Sequence, residues 1–324
     1  MDWFDLLTEG ERERVREQTR SRWVEPMLAT LTHDRFSDPG WVFEPKLDGE
    51  RCLAYLEEGT ALMSRNRKPL NESYPELVDA LEGRGEMVLD GEVVAFQGGV
   101  TSFSRLQGRM HLTGEEALAS GVKVYLYLFD PLCLDGYDLT DLPLRRRKVL
   151  LKRSLDFENP LRYVQHRNEE GEEYHRKACE RGWEGAIAKR ADATYQGGRS
   201  TDWRKFKCVH QQEMVIGGFT DPTGEREGLG ALLVGHYHGK ELVYAGKVGT
   251  GFDSRTLSLL RERLEGLETG ENPFRGEVPE AHFVRPLLVA EVGFSEWTEE
   301  GRLRHPRFLG LRRDKDPGEV VREV

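Results

Sequence analysis

Residues 44–51 read Glu44-Pro45-Lys46-Leu47-Asp48-Gly49-Glu50-Arg51. Trp41-Val42-Phe43 leads into this octet, and the run from Cys52 to Tyr55, apolar residues alternating with polar or small ones, follows it. The octet is therefore predicted to be a loop projecting from a sheet. A lysine with carboxylates on both sides fits two descriptions: a surface turn held by salt bridges, or a nucleophile in a K-x-D-G-x-R frame. The rest of the chain has to decide between them.

Glu57-Glu58-Gly59 reads as a hairpin turn leading to Ala61-Leu62-Met63, and residues 74–81 as a short amphipathic helix. Met87-Val88-Leu89 and Val93-Val94-Ala95-Phe96 flank Asp90-Gly91-Glu92, and Val124 to Phe129 is a dense β run. Helices are predicted near 143–155 and 170–181, and strands over 184–189 and 203–208. Beyond about 210, β runs at 214–219, 231–237, 242–248 and 287–292, with one helix near 253–266, predict a small β-barrel of the OB type. Residues 1–22 read as a charged helical appendage. The expected organisation is a helical extension (1–22), an α+β domain of antiparallel sheets (23–210) and an OB-fold domain (211–324), in keeping with a length of 324 residues.

The octet does not stand alone. Arg65 follows in Ser64-Arg65-Asn66, Glu92 in Asp90-Gly91-Glu92, Phe129 in Leu128-Phe129-Asp130, Glu184 in Glu184-Gly185-Ala186-Ile187-Ala188-Lys189, and Lys205 and Lys207 in Arg204-Lys205-Phe206-Lys207. In this order, over about residues 24–316, the set resembles the covalent nucleotidyltransferase superfamily: ATP-dependent DNA ligases, RNA ligases and mRNA capping enzymes. The resemblance implies that the α+β domain is a nucleotidyltransferase (adenylation) domain with ATP-grasp-like antiparallel sheets. It also implies that Lys46 attacks the α-phosphorus of ATP, leaving a lysyl–AMP intermediate.

The chemistry such a role needs is represented. A lysine near its ordinary pKa of ~10.4 is protonated at neutral pH, at a cost of about 4.6 kcal/mol to the reactive neutral amine. Neighbouring cations lower that cost. Lys205 and Lys207 alternate along one strand and so share a face, where they would hold the α-phosphate. Glu184 and Glu92 are hard-oxygen candidates for Mg²⁺, with Mn²⁺ as the alternative ion; family resemblance gives Glu92 the ribose hydroxyls as its other role. Resemblance further implies that Phe129 stacks on adenine and that the Glu44 segment meets the base edge. Arg51 and Arg65 would serve the ribose, phosphate or 5′-phosphate of a nick, and Arg199 the nucleotide. In Arg304 to Lys315, Arg312 and Lys315 would orient the leaving pyrophosphate. Lys247, within Gly246-Lys247-Val248-Gly249-Thr250-Gly251-Phe252, is a candidate DNA or phosphate contact, or part of a barrel turn.

Composition sets the frame. The chain is 38% hydrophobic and 32% charged, with no apolar run long enough to span a bilayer and no basic, apolar leader. Cys52, Cys133, Cys179 and Cys208 are scattered without a C-x-x-C pair, so neither zinc site nor disulfide is expected and a cytoplasmic setting follows. His236 and His238 alternate on a strand without further ligands in view. Net charge is −10, which counts against nucleic acid unless charge is segregated. Basic clusters at 65–68, 145–148, 204–207 and 312–315 allow that, the second as a helix with a solvated or DNA-facing surface. There is no G-x-x-x-x-G-K-[ST], so ATP is not held by a P-loop.

Glu25-Pro26-Met27-Leu28-Ala29, Ser64-Arg65-Asn66 and the ending Arg304-His305-Pro306-Arg307-Phe308-Leu309-Gly310-Leu311-Arg312 look like the ligase domain of bacterial ligase-D proteins. That resemblance implies a monomeric, nucleoid-associated prokaryotic DNA ligase acting on nicked or broken double-stranded DNA, with Ku and a repair polymerase/primase as partners. The alternatives are an RNA ligase, a capping-type guanylyltransferase, and a non-catalytic DNA-binding module.

Overall fold

The computed structural model describes residues 3–18, 23–208, 210–222, 228–276 and 278–323. The chain forms two compact units, residues 1–208 and 209–324.

In the first unit the strands are β1 (Arg16–Glu17), β2 (Met27–Leu31), β3 (Trp41–Pro45), β4 (Glu50–Glu57), β5 (Gly59–Ser64), β6 (Met87–Gln97), β7 (Val100–Thr101), β8 (Val124–Leu134), β9 (Tyr137–Asp138), β10 (Leu161–Tyr163), β11 (Arg167–Asn168), β12 (Gly185–Arg190) and β13 (Gly198–Lys207). They make two sheets: β1-β9-β8-β6-β4-β5, with β10 on β8 and β7 on β6, and β11-β3-β12-β13-β2. Side-chain alternation gives each sheet two jobs. In β8, Val124, Leu126 and Leu128 enter a core with Leu106, Leu150 and Leu151 from helices Phe103–Met110 and Leu144–Ser154. Tyr127 and Phe129 join a second cluster with Met27 and Trp203 of the other sheet. On that other sheet, Trp41, Phe43 and Phe206 pack outward with Phe36 and Tyr174. The face carrying Glu44, Lys205 and Lys207 is therefore the opposite one.

Three expectations are corrected. Residues 1–22 are not one helix. Trp3–Leu6 is a 3-10 turn, Glu9–Arg12 a single helical turn, and β1 pairs with β9, while residues 1–2 and 19–22 lie outside the described set. Leu7 is buried in the main core, and the Trp3 indole N–H donates to Asp135 at 2.9 Å, so this segment is integral rather than appended. The cysteines are not all unpaired: Cys179 and Cys208 form a disulfide, because helix Gly171–Glu180 ends beside the end of β13, while Cys52 and Cys133 are buried thiols. Finally, the Arg145–Lys148 cluster is not solely a surface, since Arg147 and Lys148 are buried.

In the second unit, β14 (His210–Phe219), β15 (Leu232–His238), β16 (Glu241–Val248), β17 (Phe274–Arg275), β18 (His282–Phe294), β19 (Glu296–Trp297), β20 (Leu303–Arg304) and β21 (Arg307–Arg312) surround a core of Met214, Ile216, Val234, Leu260 and Val292. The main sheet runs β17-β16-β15-β14-β18-β21. Helix Ser254–Glu265, N-capped by Asp253, comes between the third and fourth long strands. The sheet's five long strands, β14, β15, β16, β18 and β21, with the two-residue β17 added at one edge, make an OB arrangement. Among the described residues no helix is long and apolar enough to cross a membrane.

Candidate active site

Three adjacent strands bring the sequence candidates together. Glu44 of β3 pairs with Ile187 of β12, which pairs with Lys205 of β13. One row along, the Lys46 N–H donates to the Gly185 carbonyl at 3.0 Å, and Gly185 pairs with Lys207. Cross-strand partners share a face and alternate residues return to it. Glu44, Lys46, Lys205 and Lys207 therefore stand on one face. The Lys46 ammonium forms an ion pair with Glu184, the residue before β12, with 19% of the lysine and 7% of the glutamate side chain exposed.

Local chemistry fixes the loop. Asp48 accepts from the Phe103 N–H at 2.9 Å, and the Asp48 N–H donates to the Thr101 hydroxyl at 3.1 Å. A side chain at Gly49 would meet the Val93 carbonyl at 2.2 Å, so this approach needs glycine. In K-x-D-G the aspartate and glycine thus dock the loop that carries the lysine.

The Glu44 carboxylate is buried and paired. The residue is 2% exposed, with its carboxylate held by Lys148 and, at 2.6 Å, by Lys189. Burial alone would raise its pKa, but the two ammonium groups outweigh it and hold the carboxyl below its ordinary value. Burial also opposes charge on both lysines. Glu44 outweighs it for Lys148, which is pushed up, while Lys189, also repelled by Lys148, is pushed down. Lys189 in turn lies 4.0 Å from the Phe129 ring centre and 3.9 Å from that of Trp203.

Phe129 sits at a β-bulge: Asp90 pairs with Asp130 and Gly91 with Leu128, leaving Phe129 as the extra residue. Its ring is 7% exposed and is capped by Lys189 and, at 4.8 Å, by the Arg51 guanidinium. A stacked base therefore requires one of those caps to shift.

Arg51 lies between the two sheets, beside Phe129. Its guanidinium is paired with buried Asp90 and donates to the Met27 carbonyl at 3.1 Å, and the Tyr195 hydroxyl donates to Asp90 at 2.6 Å. Burial would lower the Arg51 pKa, but Asp90 overrides that and raises it. The arginine ties β4 and β6 to β2. Glu92 pairs with Arg51 and Tyr127 across the same sheet and is partly exposed. Arg65, in the turn after β5, is also partly exposed. Arg199 is exposed and donates to the Ala29 carbonyl at 3.0 Å.

In the second unit Arg312 donates from Nε and Nη2 to Asp314, at 2.9 and 2.7 Å, with Glu291 3.6 Å from Nη1, and Lys315 pairs with Glu213 at 2.8 Å. Lys247 is exposed in the body of β16, not in a turn.

Sequence reasoning missed Lys148 and Lys189, the partners of Glu44. It also missed a cavity of about 390 Å³ lined by Phe96, Arg105, Lys123, Tyr125 and Arg162. The Arg162 guanidinium lies 4.1 Å from the Tyr125 ring centre and donates to the Tyr127 hydroxyl at 2.8 Å. The signal was available: Tyr125, Tyr127 and Phe129 alternate. For a divalent cation, the carboxylate of Glu184 beside Lys46 is a fitting hard donor, with partly exposed Glu92 the second carboxylate proposed.

The ATP dependent DNA ligase domain family matches residues 26–207, and the ATP dependent DNA ligase C terminal region matches residues 225–315. The multifunctional non-homologous end joining protein LigD of Pseudomonas aeruginosa is 38% identical over 316 residues, covering 93% of this chain and 37% of that protein. Its counterpart in Mycobacterium tuberculosis is 40% identical over 312 residues, covering 92% and 40%. The chain thus spans well under half the length of these relatives. A solved structure of mycobacterial DNA ligase D complexed with ATP and MES matches with a TM-score of 0.67 at 38% identity, covering 92% of this chain and 98% of that one.

Proposed function

The chain belongs to the ATP-dependent DNA ligase family, and from that premise we propose that it seals DNA through covalent adenylation of Lys46. The observation that carries this reading is the Lys46 amine against Glu184, with Lys205 and Lys207 on the same sheet face. Glu184 touches the ammonium and positions it, while the neighbouring cations lower the cost of the neutral, nucleophilic amine. Nζ then bonds to the α-phosphorus of ATP, and pyrophosphate leaves. Lys205 and Lys207 offset the charge on the phosphoryl oxygens. AMP passes to the 5′-phosphate of a break, and the 3′-hydroxyl displaces it, closing the strand. Mg²⁺ held by Glu184, with Glu92 as the second carboxylate, would supply further charge stabilisation; Mn²⁺ has the same donor preference.

Glu92 and Arg65 serve the ribose and phosphate side, Phe129 the adenine, and Arg199 the nucleotide. Arg312 and Lys315 are the candidate pyrophosphate contacts of the second unit. The basic, aromatic cavity at Tyr125 and Arg162 is suited to a nucleic-acid strand, since rings stack bases while guanidinium and ammonium groups hold phosphates. The substrate in this reading is nicked or broken double-stranded DNA, in keeping with the end-joining names of the relatives; Ku and a repair polymerase/primase as partners, and a prokaryotic cytoplasm, rest on the resemblance of the sequence motifs alone.

Incubation with α-labelled ATP and Mg²⁺ should give a protein–AMP adduct that Lys46→Ala cannot form. No adduct in the wild type, or its persistence in the variant, removes the proposal. Labelled GTP tests the capping alternative, and nicked RNA tests the RNA-ligase one. Nicked and blunt-ended DNA with and without Ku tests the end-joining role.

A further inference from the structure

We propose that His175, Cys179 and Cys208, once the disulfide is reduced, form a three-ligand site for Zn²⁺ that fastens the end of β13. His175 and Cys179 lie one helical turn apart on Gly171–Glu180 and so share a face. Cys208 directly follows Lys207. Among the described residues these three form a cluster whose ligand atoms all lie within 4.8 Å of one another, and all three are partly exposed, so an ion can reach them. The His175 Nε2 stands 3.4 Å from the Cys179 sulfur, 3.9 Å from that of Cys208 and 3.3 Å from the Lys207 carbonyl, a hydrogen bond it gives up, with its proton moving to Nδ1, when it binds the ion. Zinc bonds of ~2.3 Å to sulfur and ~2.0–2.1 Å to nitrogen in a tetrahedron place such ligands about 3.6 Å apart. The imidazole is therefore already near its coordinating position, and reduction lets the sulfurs separate.

Disulfide and metal exclude each other. A dithiol reductant supplies two electrons and two protons, becoming a disulfide itself and leaving two thiols. Zn²⁺ then displaces the thiol protons, and neutral His175 contributes the lone pair of Nε2. Either linkage ties the helix to the strand that bears Lys205 and Lys207. The Cys208 N–H donates to the Glu184 carbonyl at 3.0 Å, so the same linkage reaches the partner of Lys46.

The sequence hides this site because its spacing is His-x-x-x-Cys followed by a cysteine 29 residues on. The test uses the full chain, reduced with a phosphine, freed of metal, and titrated with Zn²⁺ against a chromogenic chelator and separately with Co²⁺. One ion per chain and a thiolate-to-cobalt charge-transfer band are expected. His175→Ala should weaken Zn²⁺ binding by about tenfold or more, and Cys179→Ser should abolish the band while circular dichroism stays unchanged. Zn²⁺ should also slow amide exchange in residues 198–208. The proposal is overturned by a reduced chain that binds no ion, by His175→Ala with undiminished affinity, or by equal binding to the oxidised chain.

Discussion

Two glutamates that flank the same sheet row have opposite surroundings. Glu44 is enclosed by two lysines, whereas Glu184 meets the amine that the proposed chemistry makes the nucleophile. Glu44→Gln leaves Lys148 and Lys189 buried without their counter-charge and should destabilise the first unit by about 3–5 kcal/mol in denaturant unfolding. Glu184→Gln should cost less stability and slow adduct formation by roughly 10²-fold, read in a single-turnover ATP assay. The pH dependence follows from direction. The folded pKa of Glu44 lies below its ordinary value of 4.5. Its ion pairs therefore contribute fully above that value and are lost as pH falls through the lower folded one. Acid titration of stability should steepen below about pH 4.5 in the wild type and less so in Glu44→Gln. At this scale the shared face of Lys205 and Lys207 was legible, because alternation is local. The partners of Glu44 and Arg51 were not: Lys148 and Asp90 lie 104 and 39 positions away.

At the scale of elements, helix Leu144–Ser154 shows how a basic cluster misleads. Leu144, Arg147, Lys148 and Leu151 follow the i, i+3, i+4, i+7 spacing of one face, and all four are buried. Arg147 donates to buried Asp130 at 2.6 and 2.9 Å, Lys148 pairs with Glu44, and exposed Arg145 fits the surface reading. The charge run suggested solvent, while the spacing already pointed inward. The N-terminal segment misled in the other direction. Its charge suggested an independent helix, but the free edge of β9 offers β1 a ladder, and Trp3 and Phe4 pack on Tyr137 at ring-centre distances of 5.8 and 5.0 Å. Leu7→Ala should therefore cost about 2–5 kcal/mol, as for other buried leucines. Thermal unfolding would check it, and an unchanged midpoint would show that the segment is dispensable to the fold. The strands at 87–96, 124–129 and 214–248 and the helices near 143–155, 170–181 and 253–266 were legible, since hydrophobic periodicity carries them; helices Phe103–Met110 and Gly114–Ala119 were not predicted, and the β-bulge at Phe129 was not legible because it depends on register with β6.

Across the whole molecule, a net charge of −10 coexists with a local basic surface. Arg147 and Lys148 are buried in ion pairs, so they offer little to DNA, while Arg105, Lys123 and Arg162 line the cavity beside Tyr125. Lys123→Ala combined with Arg162→Ala should lower nick affinity, reduce the slope of log affinity against log salt by about 1 per lost phosphate contact, and leave Lys46 adenylation intact. Anisotropy titrations at several salt concentrations measure this; an unchanged slope would place the strand elsewhere. One position in the catalytic row carries a different kind of constraint. Gly185 stands between Lys46 and Lys207 at φ +150°, where any β-carbon would meet the Phe206 carbonyl at 1.9 Å. A library randomised at codon 185 and selected for adenylation should return glycine alone. The least permissive letter of this row thus encodes no functional group, and its information is the room it leaves.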